Sequence, residues 1–291
     1  YFNKRAVSLR IPIKERDYLK EVEGTYTKLH DAVEVKIVGP DFTKAEQECQ
    51  HFKYAELYYG VLKNVTFTAV TNYIRPAEKY VIHQDFFAAN IDRLNHQSAS
   101  EYIPFKDKNC MIVDAAYTNE LRLTQAINLC LPFTNNYYHW MIEVIPKLQF
   151  INDLPAEFDH YPLLINGRVK NVQQLLDVFN IYNKKSREII YLETGTNVKV
   201  ENLLVIDALS WILLDLRHGE KNLLTDSVLH PLAISFLRSI LPLPSNEAKS
   251  NKRIYLSRKN QAIRKFNEQD VIDVLKPKGF EIVYPENLSF M

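Results

Sequence analysis

Residues 253–284, RIYLSRKNQAIRKFNEQDVIDVLKPKGFEIVY, decide the fold class. RIYLS (253–257) reads as a short strand, FNEQDVIDVLKPKGF (266–280) as a helix with its exit, and EIVY (281–284) as a returning strand. Val271, Ile272, Val274 and Leu275 give the helix its apolar stripe, and Asn267 with Asp270 three residues later makes an N-cap arrangement. Strand, helix and strand within about 30 residues form one βαβ unit, so the chain reads as α/β.

Working upstream, the Pro/Ser/Lys-rich stretch LPLPSNEAKSNK (241–252) is the best linker. HPLAISFLRSIL (230–241) is a helix with Pro231 in its first turn, where a missing N–H costs nothing. CMIVDA (110–115), YPLLING (161–167), REIIYLE (187–193) and NLLVID (202–207) read as strands, and VQQLLDVF (172–179) as a helix. In the aromatic-rich first third, VEVKIV (33–38), TFTAV (66–70) and KYVIH (79–83) read as strands, and KAEQECQHFKYAELYYGVL (44–62) as helical. The division expected is a mixed α/β region at 1–105, an α/β domain at 106–245 and the start of another at 250–291.

Composition narrows the classes. The 291 residues are 46% hydrophobic and 24% charged, as in ordinary soluble globules, and a net charge of +1 offers no global attraction to nucleic acid. Cys49, Cys110 and Cys130 are odd in number and far apart, which gives neither a CxxC pair nor a disulfide framework. The most apolar run, NLLVIDALSWILLDL (202–216), is broken by Asp207 and Asp215 and falls short of the roughly 18 apolar residues of a membrane span. No signal-peptide pattern opens the chain, and the expected location is cytoplasmic or peripheral to the inner face of a membrane. None of the seven glycines forms GxGxxG or a P-loop, and HExxH, CxxC and GxSxG are absent, so a resident metal or cofactor is not expected.

Chemistry concentrates in two places. NNYYHWMIE (135–143) puts His139 and Glu143 four residues apart on one helical face, with Asn136 placed to cap. The helical wheel gathers Met141, Val144, Ile145 and Leu148 on a core face and sets His139, Glu143, Pro146 and Phe150 opposite. A kink or early end is expected at Pro146. The His–Glu pair reads as a base with its orienter, half a metal site or a surface ion pair. The flanking Asn135, Asn136, Tyr137, Tyr138 and Trp140 supply amides, phenols and an indole that suit the hydroxyls and apolar face of a sugar, or a folded core. Further on, Arg258 and Lys259 follow Ser257 at the carboxyl end of a strand, where open α/β sheets bind ligands, and a guanidinium matches phosphate oxygens. His218 is a second histidine beside a loop, with a structural role the plainer reading.

LPFTNNYYHWMIEVIPKLQF (131–150) and RIYLSRKNQAIRKFNEQDVIDVLKPKGFEIVYPENLSF (253–290) resemble the two signature segments of glycosyltransferase family 61, found in capsular polysaccharide biosynthesis proteins. The resemblance implies two Rossmann-like domains of the GT-B type, the second only partly present. It also implies an inverting enzyme that moves a sugar from a nucleotide-sugar donor to a glycan or other hydroxyl acceptor without a metal. His139 and Glu143 then become the catalytic pair, in either order of roles. Ser257, Arg258 and Lys259 become donor diphosphate contacts. Asn267 and Glu268 are placed on the donor side, and Asn136, Tyr138, Trp140 and His218 on the acceptor side. Membrane-bound polysaccharide assembly proteins become candidate partners. The family pattern continues past LSF with a Glu-Gln, a helix and a glycine- and histidine-containing loop, so the chain is expected to be a portion of a longer protein. The rival reading is a non-catalytic carbohydrate-binding scaffold, which the 17 tyrosines also suit. A nucleic-acid binder built on the basic residues of 249–265 ranks third.

Overall fold

The computed structural model describes residues 8–14, 24–38, 49–71, 73–76, 81–83, 105–106, 110–114, 119–212, 227–240, 252–258 and 266–288. The chain divides into two compact units, Tyr1–Ser239 and Ile240–Met291. The first begins with β1 (Ser8–Lys14), β2 (Gly24–His30), β3 (Val33–Val38), β4 (Cys49–Tyr54) and β5 (Leu57–Thr68). β6 (Tyr73–Pro76), β7 (Val81–His83), β8 (Phe105–Lys106), β9 (Cys110–Asp114) and β10 (Glu120–Asn128) follow. Helical chain then runs from α1 (Tyr137–His139) to α2 (Leu148–Asn152). β11 (Leu163–Asn166), α3 (Gln173–Tyr182), β12 (Ile189–Leu192) and β13 (Asn197–Ile206) come next, then β14 (Ser210–Ile212), β15 (Ser227–Leu229) and α4 (Pro231–Ile240).

Eleven strands share one sheet in the order β12-β11-β10-β13-β5-β6-β7-β1-β9-β8, with β2 also paired to β5. β12, β11, β10 and β13 are mutually parallel, and β5 joins β13 antiparallel. β5 is long enough for β2 to take Leu57–Leu62 while β6 takes Val65–Phe67. Its Gly60 is required because a Cβ there would stand 2.4 Å from the Tyr26 ring. The chain enters β13 from β12 through only Glu193–Thr196, with Gly195 at a φ of 84°.

β10 shows how the sheet changes character. Its first residues alternate between exposed and half-buried, and Ala126, Ile127 and Asn128 are then buried together. The change comes where β11 joins, at Ile127 and Asn128. A strand covered on both faces has no solvent face, which is why a continuous buried run replaces alternation. Phe67, Leu62, Ala126, Leu164, Val198 and Leu203 form the core on this part of the sheet.

The strand and helix expectations at 33–38, 172–179 and 230–241 are met within a residue or three at the ends. The helix expected over 44–62 is not formed. Residues 44–48 lie outside the described residues, 49–54 are β4 and 57–62 belong to β5. β4 pairs antiparallel with β3, and its side chains alternate outward and inward, with Phe52 and Tyr54 turned in. Pairing and burial thus override the local helix preference of Ala, Glu and Gln.

The second unit holds β16 (Arg253–Leu256), α5 (Glu268–Leu275) and β17 (Phe280–Val283), with the two strands parallel in register Arg253↔Phe280 to Leu256↔Val283. This is the βαβ arrangement its sequence predicts. Gly279, at a φ of 79°, ends the helical segment in the left-handed conformation that suits a residue without Cβ. Asn267 does not cap α5 with its side chain as expected; its amide donates to Asp270 instead. Among the described residues, no helix is long and apolar enough to cross a membrane.

Candidate active site

The loop from β10 to α1 is fixed by its own polar groups. Leu129 N–H donates to Leu164 O at 3.0 Å, carrying β10 one residue past its end. Buried Asn128 accepts from Cys130 N–H at 3.1 Å, and Thr134 Oγ1 donates to Leu131 O at 2.9 Å. Asn136 N–H donates to Phe133 O at 2.8 Å, closing a turn in which Phe133 holds a φ of 62°. Asn136 then caps α1, its Oδ1 accepting from Tyr138 N–H at 2.9 Å.

The helix does not continue regularly. Trp140–Val144 form a π-helical turn in which Ile145 N–H reaches back five residues to Trp140 O. Pro146 explains the irregularity, because it has no N–H for Ile142 O and its ring would strike that carbonyl in an α-helix. Ile145–Lys147 tighten into a 3-10 turn and α2 resumes at Leu148. The chain therefore passes Pro146 without ending. The two-faced wheel is corrected as well: Trp140, Ile142, Pro146 and Lys147 are buried alongside Val144, Ile145 and Leu148, so the accessible face is narrow.

His139 is buried at the edge of that face, and Glu143 is half-buried beside it. His139 Nδ1 lies 2.8 Å from Glu143 Oε1, with side chains 11% and 19% exposed. A carboxylate oxygen accepts, so the proton is assigned to Nδ1, and in the neutral tautomer this leaves Nε2 as the acceptor. Nε2 has no hydrogen-bond partner among the described residues. The rings of Phe133 and Tyr138 flank the imidazole at 5.5 and 5.6 Å and are themselves exposed. A neutral imidazole oriented by a carboxylate and shielded by rings is competent to accept a proton.

Trp140 faces inward instead of toward an acceptor. Its ring is wholly buried 5.4 Å from Phe179, and Nε1 donates to Leu175 O at 2.9 Å. Asn136 and Tyr138 are exposed beside His139, and His218 lies outside the described residues. Lys147, unmarked by any motif, is fully buried, and its Nζ lacks a hydrogen-bond partner among the described residues.

In the second unit, the chain leaving β16 is organised by Glu268. Its Oε1 accepts from Tyr255 Oη at 3.0 Å and from Arg258 N–H at 2.7 Å, and its Oε2 from Ser257 Oγ at 3.0 Å. Ser257 and Glu268 are buried, so both serve the backbone here, while the Arg258 side chain is exposed beyond them. Ser257 N–H also donates to Val283 O at 2.8 Å, tying the turn to β17. Asn267 is exposed and Lys259 lies outside the described residues. Among the described residues, no group of three or more His, Cys, Asp or Glu side chains is gathered as for a metal ion.

The sequence pattern of Glycosyltransferase 61 matches residues 137–291, more than half of the chain. The chain belongs to glycosyltransferase family 61. Neither a curated protein nor a solved structure matches it. The glycosyltransferase 61 segment takes in His139, Glu143 and the π-helical turn in one unit, and Ser257, Arg258 and Glu268 in the other. Phe133 and the turn that holds it precede the matched residues.

Proposed function

We propose that this chain is an inverting, metal-independent glycosyltransferase that moves a sugar from a nucleotide-sugar donor to a hydroxyl acceptor in surface polysaccharide synthesis. The observation that carries the reading is the His139–Glu143 pair, whose Nε2 has no hydrogen-bond partner among the described residues. Family membership supplies the reaction class. In the reaction, His139 Nε2 takes the proton of the acceptor hydroxyl as its oxygen bonds to the anomeric carbon. The bond from that carbon to the diphosphate oxygen breaks, and the electron pair leaves with the nucleoside diphosphate. Attack opposite the leaving group inverts the anomeric centre. Arg258, joined by Lys259, offsets the charge of the departing diphosphate. Ser257 and Glu268 hold the Arg258 backbone, and Asn267 stands at the start of α5 on the same donor side. The GT-B architecture with two Rossmann-like domains belongs to this proposal, as does association with membrane-bound assembly proteins.

Isothermal titration of UDP, GDP, CDP and ADP and their sugars, without metal, tests the reading on the chain and on R258A. Saturable binding that weakens about tenfold in R258A is expected for loss of one charge-assisted phosphate contact. In H139A, donor binding should persist and transfer should cease. Loss of donor affinity in H139A overturns the assignment of the base. The exposed rings of Phe133, Tyr137 and Tyr138 favour a second reading, a carbohydrate-binding scaffold without catalysis. That reading gains if no nucleotide binds.

A further inference from the structure

We propose that Phe133, with Tyr138, forms an acceptor subsite for a neutral pyranoside, the ring of Phe133 stacking on the apolar face of the sugar beside His139. The link to His139 as base rests on the transferase reading; the binding itself does not.

Three observations converge on Phe133. Its φ of 62° is a left-handed conformation that Gly or Asn adopts far more easily than a residue with a bulky side chain. The turn is nonetheless held by Asn136 N–H on Phe133 O and by Thr134 Oγ1 on Leu131 O, so the conformation is imposed. The usual compensation would be burial, yet Phe133 is 55% exposed. A strained backbone that displays an apolar ring to solvent calls for a functional account. The ring also lies 5.5 Å from the imidazole of His139, and Tyr138 flanks that imidazole edge-on at 5.6 Å.

The surroundings choose the ligand. A pyranose offers an apolar CH face with hydroxyls around its rim. Here a stacking ring shares the His139 imidazole with the phenol of Tyr138, exposed Asn135 and Asn136 lie next along the chain, and Glu143 bonds the far side of His139 at Nδ1. A nucleotide would set its phosphates beside Glu143. Residues 131–146 contain neither Lys nor Arg to offset that charge, and Lys147 is buried. A neutral sugar meets no such penalty.

The test is saturation-transfer NMR on the chain with methyl β-D-glucopyranoside, using sorbitol as a hydroxyl-matched compound without a ring face. Saturation should fall most strongly on the axial ring protons of the glycoside and be absent from sorbitol. F133G removes the ring while relieving the backbone, so it is expected to fold, as its thermal transition will show. Affinity should weaken about tenfold in F133G and be retained in F133W. Equal signals for the chain and F133G overturn the proposal, as does no signal from any pyranoside. Uridine diphosphate showing the Phe133-dependent saturation in the glycoside's place overturns it too. A chain that transfers sugar while its glycoside signal ignores Phe133 loses this subsite and keeps the transferase. Phe133-dependent glycoside binding without nucleotide affinity does the reverse.

Discussion

His139 and Glu143 meet at 2.8 Å, Nδ1 to Oε1, across a turn of π-helix. The carboxylate fixes the ring, and in the proposed reaction Nε2 meets the substrate. E143Q keeps the shape and weakens the orientation. It should lower kcat by about 10²-fold, within the usual span for a general base, and leave nucleotide affinity as it was. Steady-state transfer beside donor titration checks this, and an unchanged kcat removes Glu143 from the reaction.

Glu268 makes a different demand, because three donors converge on one buried carboxylate. E268A should cost about 3 kcal/mol of stability, as donors to a charged group lose their acceptor. E268Q, which keeps one acceptor oxygen, should cost roughly half as much. Urea unfolding measures both. Donor affinity should fall in the same order if Arg258 is held for the diphosphate.

Lys147 presents the opposite case, a buried amine whose Nζ makes no hydrogen bond among the described residues. A buried polar group without a hydrogen bond carries an uncompensated desolvation cost of about 1–3 kcal/mol, which an apolar side chain of similar length does not. K147M should therefore hold or raise the unfolding midpoint. A marked fall would show that the Lys147 amine has a partner in solution.

His230 predicts a pH dependence. Burial lowers its pKa from the ordinary 6.5 to about 4, and a charge on His30 adds to the shift. The ring is fully buried between His30 and Tyr54, with Nδ1 accepting from Leu232 N–H at 3.1 Å. Between pH 6.5 and 4 the unfolded chain binds the proton and the folded one does not. The contribution of His230 is thus complete above about 6.5 and is lost as pH falls, by up to about 1.4 kcal/mol per pH unit. H230N retains an acceptor for Leu232 and should flatten this part of the profile, measured by denaturant unfolding at several pH values.

Much of this was legible in the sequence where one period dominates. VEVKIV alternates and is β3; the stripe from Val271 to Leu275 belongs to α5. Asn136 capped where its position said it would. The failures come where tertiary context outweighs local preference. The good helix formers of 44–62 gave no hint that β3 and β13 would claim them as strand partners. The wheel for 137–150 assumed one buried face, whereas this segment is buried on most sides, which hid the roles of Trp140 and Lys147. Phe133 was in view within LPFTNNYYHW, but a positive φ at phenylalanine leaves no mark on composition or periodicity.

The π-helical turn at Trp140–Val144 has a consequence for how this segment tolerates changes in length. The turn closes its hydrogen bond over five residues where an α turn uses four, so this segment already carries one residue more than a regular helix between His139 and Leu148. Removing one residue between Trp140 and Val144 lets the turn revert to α and keep Leu148 in the core, at the cost of shortening the His139–Glu143 spacing from four residues to three. An added residue meets no such slack and would rotate His139 by about 100° relative to Leu148. A one-residue insertion here is therefore expected to be more damaging to the fold than a one-residue deletion, because only the insertion breaks the phase between the two ends of the helical segment.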